Sequence, residues 1–532
     1  KVDLLGLGML AAMEDSLRIC RQRGKSIDLA HIPHDDAATF DLLCRADTVG
    51  TFQVESRAQM ATLPLMQPRE FYDLVIEIAL IRPGPIVGEL VHPYLNRRSR
   101  RTPVDYIHPD FQSVLERTLG VPLFQEQVLR MAMIIADFDG AEADELRRAM
   151  AFKRSDERME SIVEKLRSRM SHRHVNPAVQ EKVIRSISSF ALYGFPESHA
   201  ISFALLAYAS CWLKTHHTAE FFTGLLNNQP MGFYPVASLL HDARRHGIHI
   251  KPVSVIHSSL ETAVIDDKTL RLGLQHLKNI SSSTTTKLLE ARSHTNFIDL
   301  ADFLRRVQPN KKERRLLAAA GSLDDLPGIA HRRDALWQGE HLPQEDLLSR
   351  SNNAPLNDSR AAPPEMDCPL LPMSDFEKLT ADYRSQGYST GPHPMALLRK
   401  SWTHKFQNAN SPSRQGNYDS PINPSLLAKA RDFKFIPHGQ HAICAGLVIC
   451  RQRPSTAKGH CFISLEDETG TANLFIPCST FLNYRLVITT EKFLLCHGRM
   501  QIGENDSLTL YTTSVEPLPL ELLLKTESHD FH

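Results

Sequence analysis

The first acid in the chain, Asp3 of KVDLLGLG, leads straight into an apolar run. A carboxylate there either closes a loop or holds a cation. Several cations follow that could grip an anion. Arg82 of IRPGP precedes a Pro-Gly-Pro turn that presents its guanidinium in one direction, a geometry suited to bidentate phosphate contact or to capping a helix end. NRRSRR carries Arg97, Arg98, Arg100 and Arg101. Arg147, Arg148, Lys153 and Arg154 follow the acids Glu142, Asp144 and Glu145, and read either as a phosphate-facing groove or as a solvated, ion-paired face. In YGFPESHA, Ser198 reads first as a helix N-cap, with Tyr193 and His199 beside a helix start that could receive a phosphate or a base. Adjacent Ser and His with no acidic third member do not make a hydrolase triad.

Two further stretches could meet nucleic acid. LGLQHLKNISSSTTTKLLEARSHTNFIDLADFLRRV has the length of a helix-hairpin-helix unit. Asn279, Ile280, Ser281 and Ser282 stand where glycines would let backbone amides approach a phosphate, which favours plain helical packing. In TAKGHCFISLEDETGTANLFI, Arg451, Arg453 and Lys458 lie near Phe462 and Phe475. Cations with aromatic rings are the recipe for single-strand binding, although strand alternation allows both rings to face a barrel core instead.

The elements that must hold these residues follow from period and punctuation. Residues 1–15 read as a strand entering a helix, and 16–250 as mostly helical, with turns at Pro64, Pro68, Pro83, Gly84 and Pro85. Val128, Met131, Ile134 and Ile135 recur at helical spacing, Asp139-Gly140 breaks the chain, and 141–150 resumes as a helix. ISFALLAYASCWLKTHHTAEFFTGLLNN reads as one buried helix ending near Asn227-Asn228. Short strands are expected at 250–270, short helices at 271–340, and a polar, proline-rich linker at 350–366. From about 440 the period becomes two, predicting a small antiparallel β-domain of about five strands, plausible as an OB-fold. The fold class is therefore α+β and multidomain. It comprises a mostly helical domain, a helix-hairpin-helix-like region and a C-terminal β-barrel.

Bulk properties narrow the classes. The 532 residues imply three or four domains. Lys plus Arg equals Asp plus Glu at 61 each, so any phosphate binding must come from local clusters. Nine scattered cysteines without a CxxC argue against a zinc or disulfide framework and for a reducing cytoplasm. The 25 histidines form no HxxxH or HExxH. No run is long and apolar enough to cross a membrane, and no secretory signal opens the chain.

Taken together, KVDLLGLG, GTFQVESRAQM, ALIRPGP, PLFQEQVLRMA, ADELRRAM, YGFPESHAISFALLAYASCWLK and LLNNQPMGFYPVASLLHDARRHGI resemble the bacterial family C DNA polymerases, the DNA polymerase III alpha subunit. PESHA after YGF, NNQPMGFYP, RQRPSTAKG with LEDETGTANL, and the tail SHDFH are similar to its error-prone, damage-tolerant branch. The resemblance implies 1–15 as the end of a palm, 16–250 as the fingers and 251–340 as the helix-hairpin-helix-like region. It implies 341–435 as linker and small irregular segment, and 436–520 as the OB-fold. It makes Asp3 the third catalytic aspartate and an Mg²⁺ ligand, with its two companion aspartates upstream of a C-terminal fragment that is inactive by itself. Arg82, Arg147, Arg148, Lys153 and Arg154 would receive the incoming triphosphate, with Tyr193, Ser198 and His199 nearby. Glu197 stands where replicative enzymes usually carry lysine, which would fit looser nucleotide selection. Arg97, Arg98, Arg451, Arg453 and Lys458 are candidates for DNA contact. The implied partners are primer-template DNA, dNTPs and an inactive Y-family-like accessory protein. The sliding clamp would be reached, if at all, through Gln344 to Leu348 (QEDLL). The rival expectations are a DNA-holding, partner-docking module without turnover, or a decayed gene.

Overall fold

The computed structural model describes residues 6–531 except 82–86, 152–155, 192–194, 233, 342–367, 401–426, 454–458, 504–507 and 519–528. Asp3, Arg82, Lys153, Arg154, Tyr193, Lys458 and the QEDLL segment therefore lie outside the described residues. The chain divides into two compact units, Lys1–Met9 with Cys20–His217, and Leu10–Ile19 with Thr218–His532. Among the described residues, no helix is long and apolar enough to cross a membrane. Among the described residues, no cysteine is in a disulfide.

The first unit is helical. It holds the ends of α1 (Leu7–Gln22), then α2 (Ala37–Cys44), α3 (Arg57–Met66), α4 (Phe71–Leu80), α5 (Val87–Arg98) and α6 (Gln112–Leu115). There follow α7 (Gln125–Ala136), α8 (Gly140–Ala151), α9 (Asp156–His172), α10 (Pro177–Ala191) and α11 (Glu197–His216). Pro64, expected in a turn, lies inside α3. Each helix whose apolar period was legible turns that face inward: Val128, Met131 and Ile135 of α7 meet Leu146 of α8, Leu166 of α9 and Ile187 of α10 in one core. α11 packs on α4 and α2 through small residues, Ala200, Ala204, Ala207 and Cys211, all buried. Its last turn fastens the preceding GTFQVES loop. The fully buried Lys214 Nζ donates to the carbonyls of Asp47 (3.0 Å) and Val49 (2.9 Å), and the Phe52 N–H donates to Ser210 Oγ (3.0 Å).

The single long helix expected over 201–228 is two helices, α11 and α12 (Thr218–Asn227), broken at His217. The second unit continues with α13 (Val236–Arg245), a three-stranded sheet of β1 (His249–Lys251), β2 (Ala263–Asp266) and β3 (Thr269–Arg271), then α14 (Ser282–His294), α15 (Leu300–Val307), α16 (Lys311–Ala319), α17 (Arg332–His341) and α18 (Asp375–Ser385).

The C-terminal barrel contains β4 (Leu427–Ala428), β5 (His441–Gln452), β6 (Cys461–Asp467), β7 (Gly470–Ile476), the short helices α19 (Cys478–Asn483) and α20 (Arg485–Thr490), β8 (Phe493–Ile502), β9 (Leu508–Pro517) and β10 (His529–Phe531). The pairs β5–β6, β6–β7, β7–β9, β9–β8 and β8–β5 close a five-stranded ring, the connectivity of an OB-fold. Three pairs depart from the antiparallel expectation: β7 runs parallel to β9, and β4 and β10 run parallel to β5. Cys461, Ile463, Leu465, Leu474, Ile476, Leu494, Leu510 and Val515 fill the interior. Ile443, Leu447 and Leu495 instead turn outward onto Leu379 and Tyr383 of α18.

Candidate nucleic-acid interface

In the first unit, two arginines of the sequence-predicted set remain at the surface. Arg147 and Arg148 share one partner, Asp144, at 2.7 and 2.5 Å, and are 61% and 71% exposed. The two guanidiniums share that one carboxylate and stay open to solvent. Hydrogen bonds from Arg148 and Arg147 hold the Asp144 carboxyl below its ordinary range.

Arg98 is different. Its guanidinium forms a fork onto both Asp73 oxygens and also donates to the Tyr94 hydroxyl (3.2 Å) and the carbonyls of Met66 and Gln67 at the end of α3. Every face of the fork is used inside the unit, so the expectation that Arg98 grips DNA gives way to a structural role. Arg97 donates to the Leu119 carbonyl at 2.7 Å and is partly committed in the same way.

The helix start at α11 also differs from expectation. Its N-cap is Pro196, and Ser198 sits one position inside the first turn. Glu197 is not a loose charge. Its carboxylate accepts the Tyr72 hydroxyl at 2.5 Å, its N–H donates to Glu126 at 2.9 Å, and Arg117 covers the Tyr72 ring at 4.9 Å. Burial and the Glu197 carboxylate keep the Tyr72 hydroxyl protonated. His199 is exposed and stands in an aromatic row, 5.1 Å from Phe195 and 4.2 Å from Phe203, which in turn lies 5.2 Å from Phe52. The GTFQVES loop thus supplies the base of a row that ends at His199, a connection between distant motifs that spacing could not reveal.

In the second unit, the hairpin before α14 does without glycine: Asn279 adopts φ +63°, in the left-handed region that asparagine tolerates best among non-glycine residues. Ser281 caps α14, accepting the Thr284 N–H at 3.1 Å. The Ser281 N–H, however, ends on Glu313 Oε1 (2.9 Å), and Thr284 Oγ1 and the Asn310 N–H end on Glu313 Oε2 (2.9 and 3.0 Å). Glu313 is buried and belongs to the capping box of α16, so one carboxylate serves two helix N-termini. Burial works against its charge, but the bonds from Ser281, Asn310 and Thr284 prevail and hold the acid below its ordinary value. An internal carboxylate thus takes the Ser281 amide and the Thr284 hydroxyl at the start of α14.

The barrel is the converse case. Because Cys461, Ile463, Leu474 and Ile476 point inward, the alternating Phe462 and Phe475 point out. They are directly paired across β6 and β7, and Phe475 is paired with Tyr511 on β9. The rings stand 5.5 and 5.6 Å apart, with His460 a further 4.9 Å from Phe475, and all four residues are half-exposed. Three aromatic rings lie in register on the outer wall of β6, β7 and β9, an arrangement on which unpaired bases could stack. Tyr511 and His460 were missed because their partners lie on other strands.

Arg453 is exposed at the edge of this region, its guanidinium 4.4 Å from the Phe481 ring. Arg451, expected at DNA, instead donates to the carbonyls of Ile488 (2.7 Å) and Glu491 and so closes the end of α20.

Within a single unit, the one trio of possible metal ligands among the described residues is His241, His393 and Glu466, all buried. It does not fit Mg²⁺, which demands oxygen donors. Two of the three are imidazoles, and Arg245 already binds Glu466 at 3.2 Å. His393 Nδ1 accepts the Met395 N–H at 3.1 Å, which leaves the hydrogen on Nε2 and no lone pair there for a metal. The trio is a polar knot that ties β6 to α13, with His241 at 3.3 Å from Glu466.

Residues 9–174 match the family model for the bacterial DNA polymerase III alpha subunit finger domain, 247–335 a helix-hairpin-helix motif, and 443–518 an OB-fold nucleic acid binding domain. The whole chain is 43% identical over 549 residues to an error-prone DNA polymerase of Azoarcus sp. (strain BH72), covering 48% of that protein. It is 40% identical over 547 residues to one of Teredinibacter turnerae, covering 50%, and 40% identical over 536 residues to one of Dechloromonas aromatica, covering 49%. The chain spans about half the length of the curated relatives it matches.

Proposed function

We propose that this chain supplies the fingers, helix-hairpin-helix and OB-fold parts of an error-prone DNA-directed DNA polymerase that extends primers with dNTPs across damaged templates. The observation that carries this reading is similarity along the whole chain to proteins of that name, through three domain matches in one order. Arg147 and Arg148, exposed with one carboxylate between them, support a triphosphate-receiving surface that Arg82, Lys153 and Arg154 would complete. His199 and Ser198, with Tyr193, would border the nucleotide, the aromatic row behind His199 giving it a stacking face. Glu197, tied to Tyr72, acts here by setting the α11 start rather than as a free charge beside the substrate.

The reaction class is nucleotidyl transfer. Asp3 would be one ligand of a bound Mg²⁺, whose chemistry would be to activate the primer hydroxyl and neutralise the leaving pyrophosphate. Recruitment by an inactive Y-family-like partner, or by a sliding clamp at Gln344–Leu348, belongs to the same reading.

Primer extension by the complete polymerase tests it. Asp3→Ala abolishes product while leaving DNA affinity intact, and undiminished extension in that variant overturns the assignment. A second reading, a DNA-holding module without turnover, is favoured by the outward aromatic line of the barrel. It predicts full primer-template binding in a complete protein that incorporates no nucleotide.

A further inference from the structure

The NNQPMGFYP string has a purpose that its first three residues do not exhaust. Asn227 Oδ1 accepts the Thr262 N–H (2.8 Å) and its Nδ2 donates to the Thr262 carbonyl (3.1 Å). Asn228 donates to the Gly224 carbonyl (2.8 Å) and Gln229 to the Leu225 carbonyl (3.3 Å). These three amides satisfy the end of α12 and pin it to residue 262. Pro230, Met231, Gly232, Tyr234 and Pro235 of the string wall one side of a cavity of about 470 Å³. The opposite side comes from Gln275, His276 and Lys278 of the helix-hairpin-helix match and from the turn Gln386 to Tyr388.

The volume suits a small ligand or a single nucleotide. The walls are largely apolar and aromatic, and Lys278 is the one charged side chain among the lining residues. Lys278 is exposed and makes no ion pair or hydrogen bond among the described residues. Its Nζ lies beside Gly387, 2.6 Å from where a Cβ would stand, and the φ of +86° there favours glycine. His276 does not compete as a cation: its Nε2 bonds to Thr262 Oγ1 at 2.8 Å, and burial pushes its pKa down to about 4. A single ammonium among walls that include Tyr234 and Tyr388 fits a flat ring that carries an anion.

We propose that this cavity takes one unstacked nucleotide of single-stranded DNA, the base against Tyr234 and Met231 and the phosphate at Lys278. The proposal rests on the DNA-binding reading above. A partner peptide is the competing occupant. The single cation beside a flat-ring slot, with one wall from a helix-hairpin-helix segment, favours the nucleotide.

The test uses the full chain, fluorescein-labelled dT12, a blunt duplex of equal length, and a dT12 carrying 5-iodouracil for photo-cross-linking. Two variants are compared, both checked for unchanged melting: Lys278→Gln, which removes the charge, and Val236→Trp, which fills the cavity. The expected result is a cross-link to Tyr234 or Met231, about tenfold weaker dT12 binding in Val236→Trp, about threefold weaker binding with a shallower salt slope in Lys278→Gln, and unchanged duplex binding in both. If the wild type binds dT12 but both variants match it, or the cross-link falls elsewhere, the cavity proposal fails while DNA binding stands. If the wild type binds neither DNA, both readings fall. Displacement of the cross-link by equimolar free dTMP overturns the strand as the source, and duplex-only losses overturn the single nucleotide.

Discussion

At the hairpin before α14, the Ser281 amide and the Thr284 hydroxyl both end on the Glu313 carboxylate. On the barrel wall, Phe462, Phe475 and Tyr511 are set in a row across three strands and stay half-exposed. Both regions match modules of the kind that meet nucleic acid. In the first, the groups that would do so are already consumed inside the protein; in the second they are presented outward. The same contrast separates Arg98, whose fork is spent on Asp73 and α3, from Arg147 and Arg148 at the surface. A matching module therefore says less about where a strand will lie than the inventory of groups left unspent.

Substitutions at four residues break or sharpen this contrast. Arg98→Ala leaves the buried Asp73 carboxylate unpaired and costs about 3 kcal/mol of stability by chemical denaturation; a variant with native stability but impaired DNA binding would return Arg98 to the interface. Glu313→Ala unties two helix starts and costs about 2 kcal/mol, with DNA affinity retained. Because the folded-state pKa of Glu313 is depressed, its contribution is present above the ordinary glutamate value and fades as pH falls through the lower folded value. A Glu313→Gln protein should lose that part of the acid dependence in a pH series of melts. Lost DNA affinity in either Glu313 variant at native stability would instead show the hairpin to be a phosphate site. Phe475→Ala, at the centre of the aromatic line, weakens dT12 binding about tenfold by fluorescence anisotropy and changes the melting point little. Unaltered binding would remove the barrel wall from the interface. The smallest effect is expected for Arg148→Gln, under about 0.5 kcal/mol on stability, since its ion pair is solvent-exposed. A loss above 1 kcal/mol would move Arg148 into the same class as Arg98.

Much of this was legible in one dimension. The period of Val128, Met131 and Ile135 gave α7 its buried face, and the change to period two after 440 announced the barrel. The absence of hairpin glycines was legible, but the carboxylate that takes the Ser281 amide, Glu313, lies 32 residues away and was not. Whether Phe462 and Phe475 face in or out stayed open, because alternation specifies two faces without saying which one is covered.

The amino-acid order by itself indicated most of the helices, the change to strands after 440 and the resemblance, since period, caps and ordered motifs are local properties of the chain. Only the tertiary structure decided which charged and aromatic groups remain available. Arg98 finds its carbonyls about thirty residues away and Arg451 about forty. A guanidinium or a ring is committed by whatever the fold brings against it, and those partners are set by closure and register at long range, beyond the reach of any window of neighbouring residues.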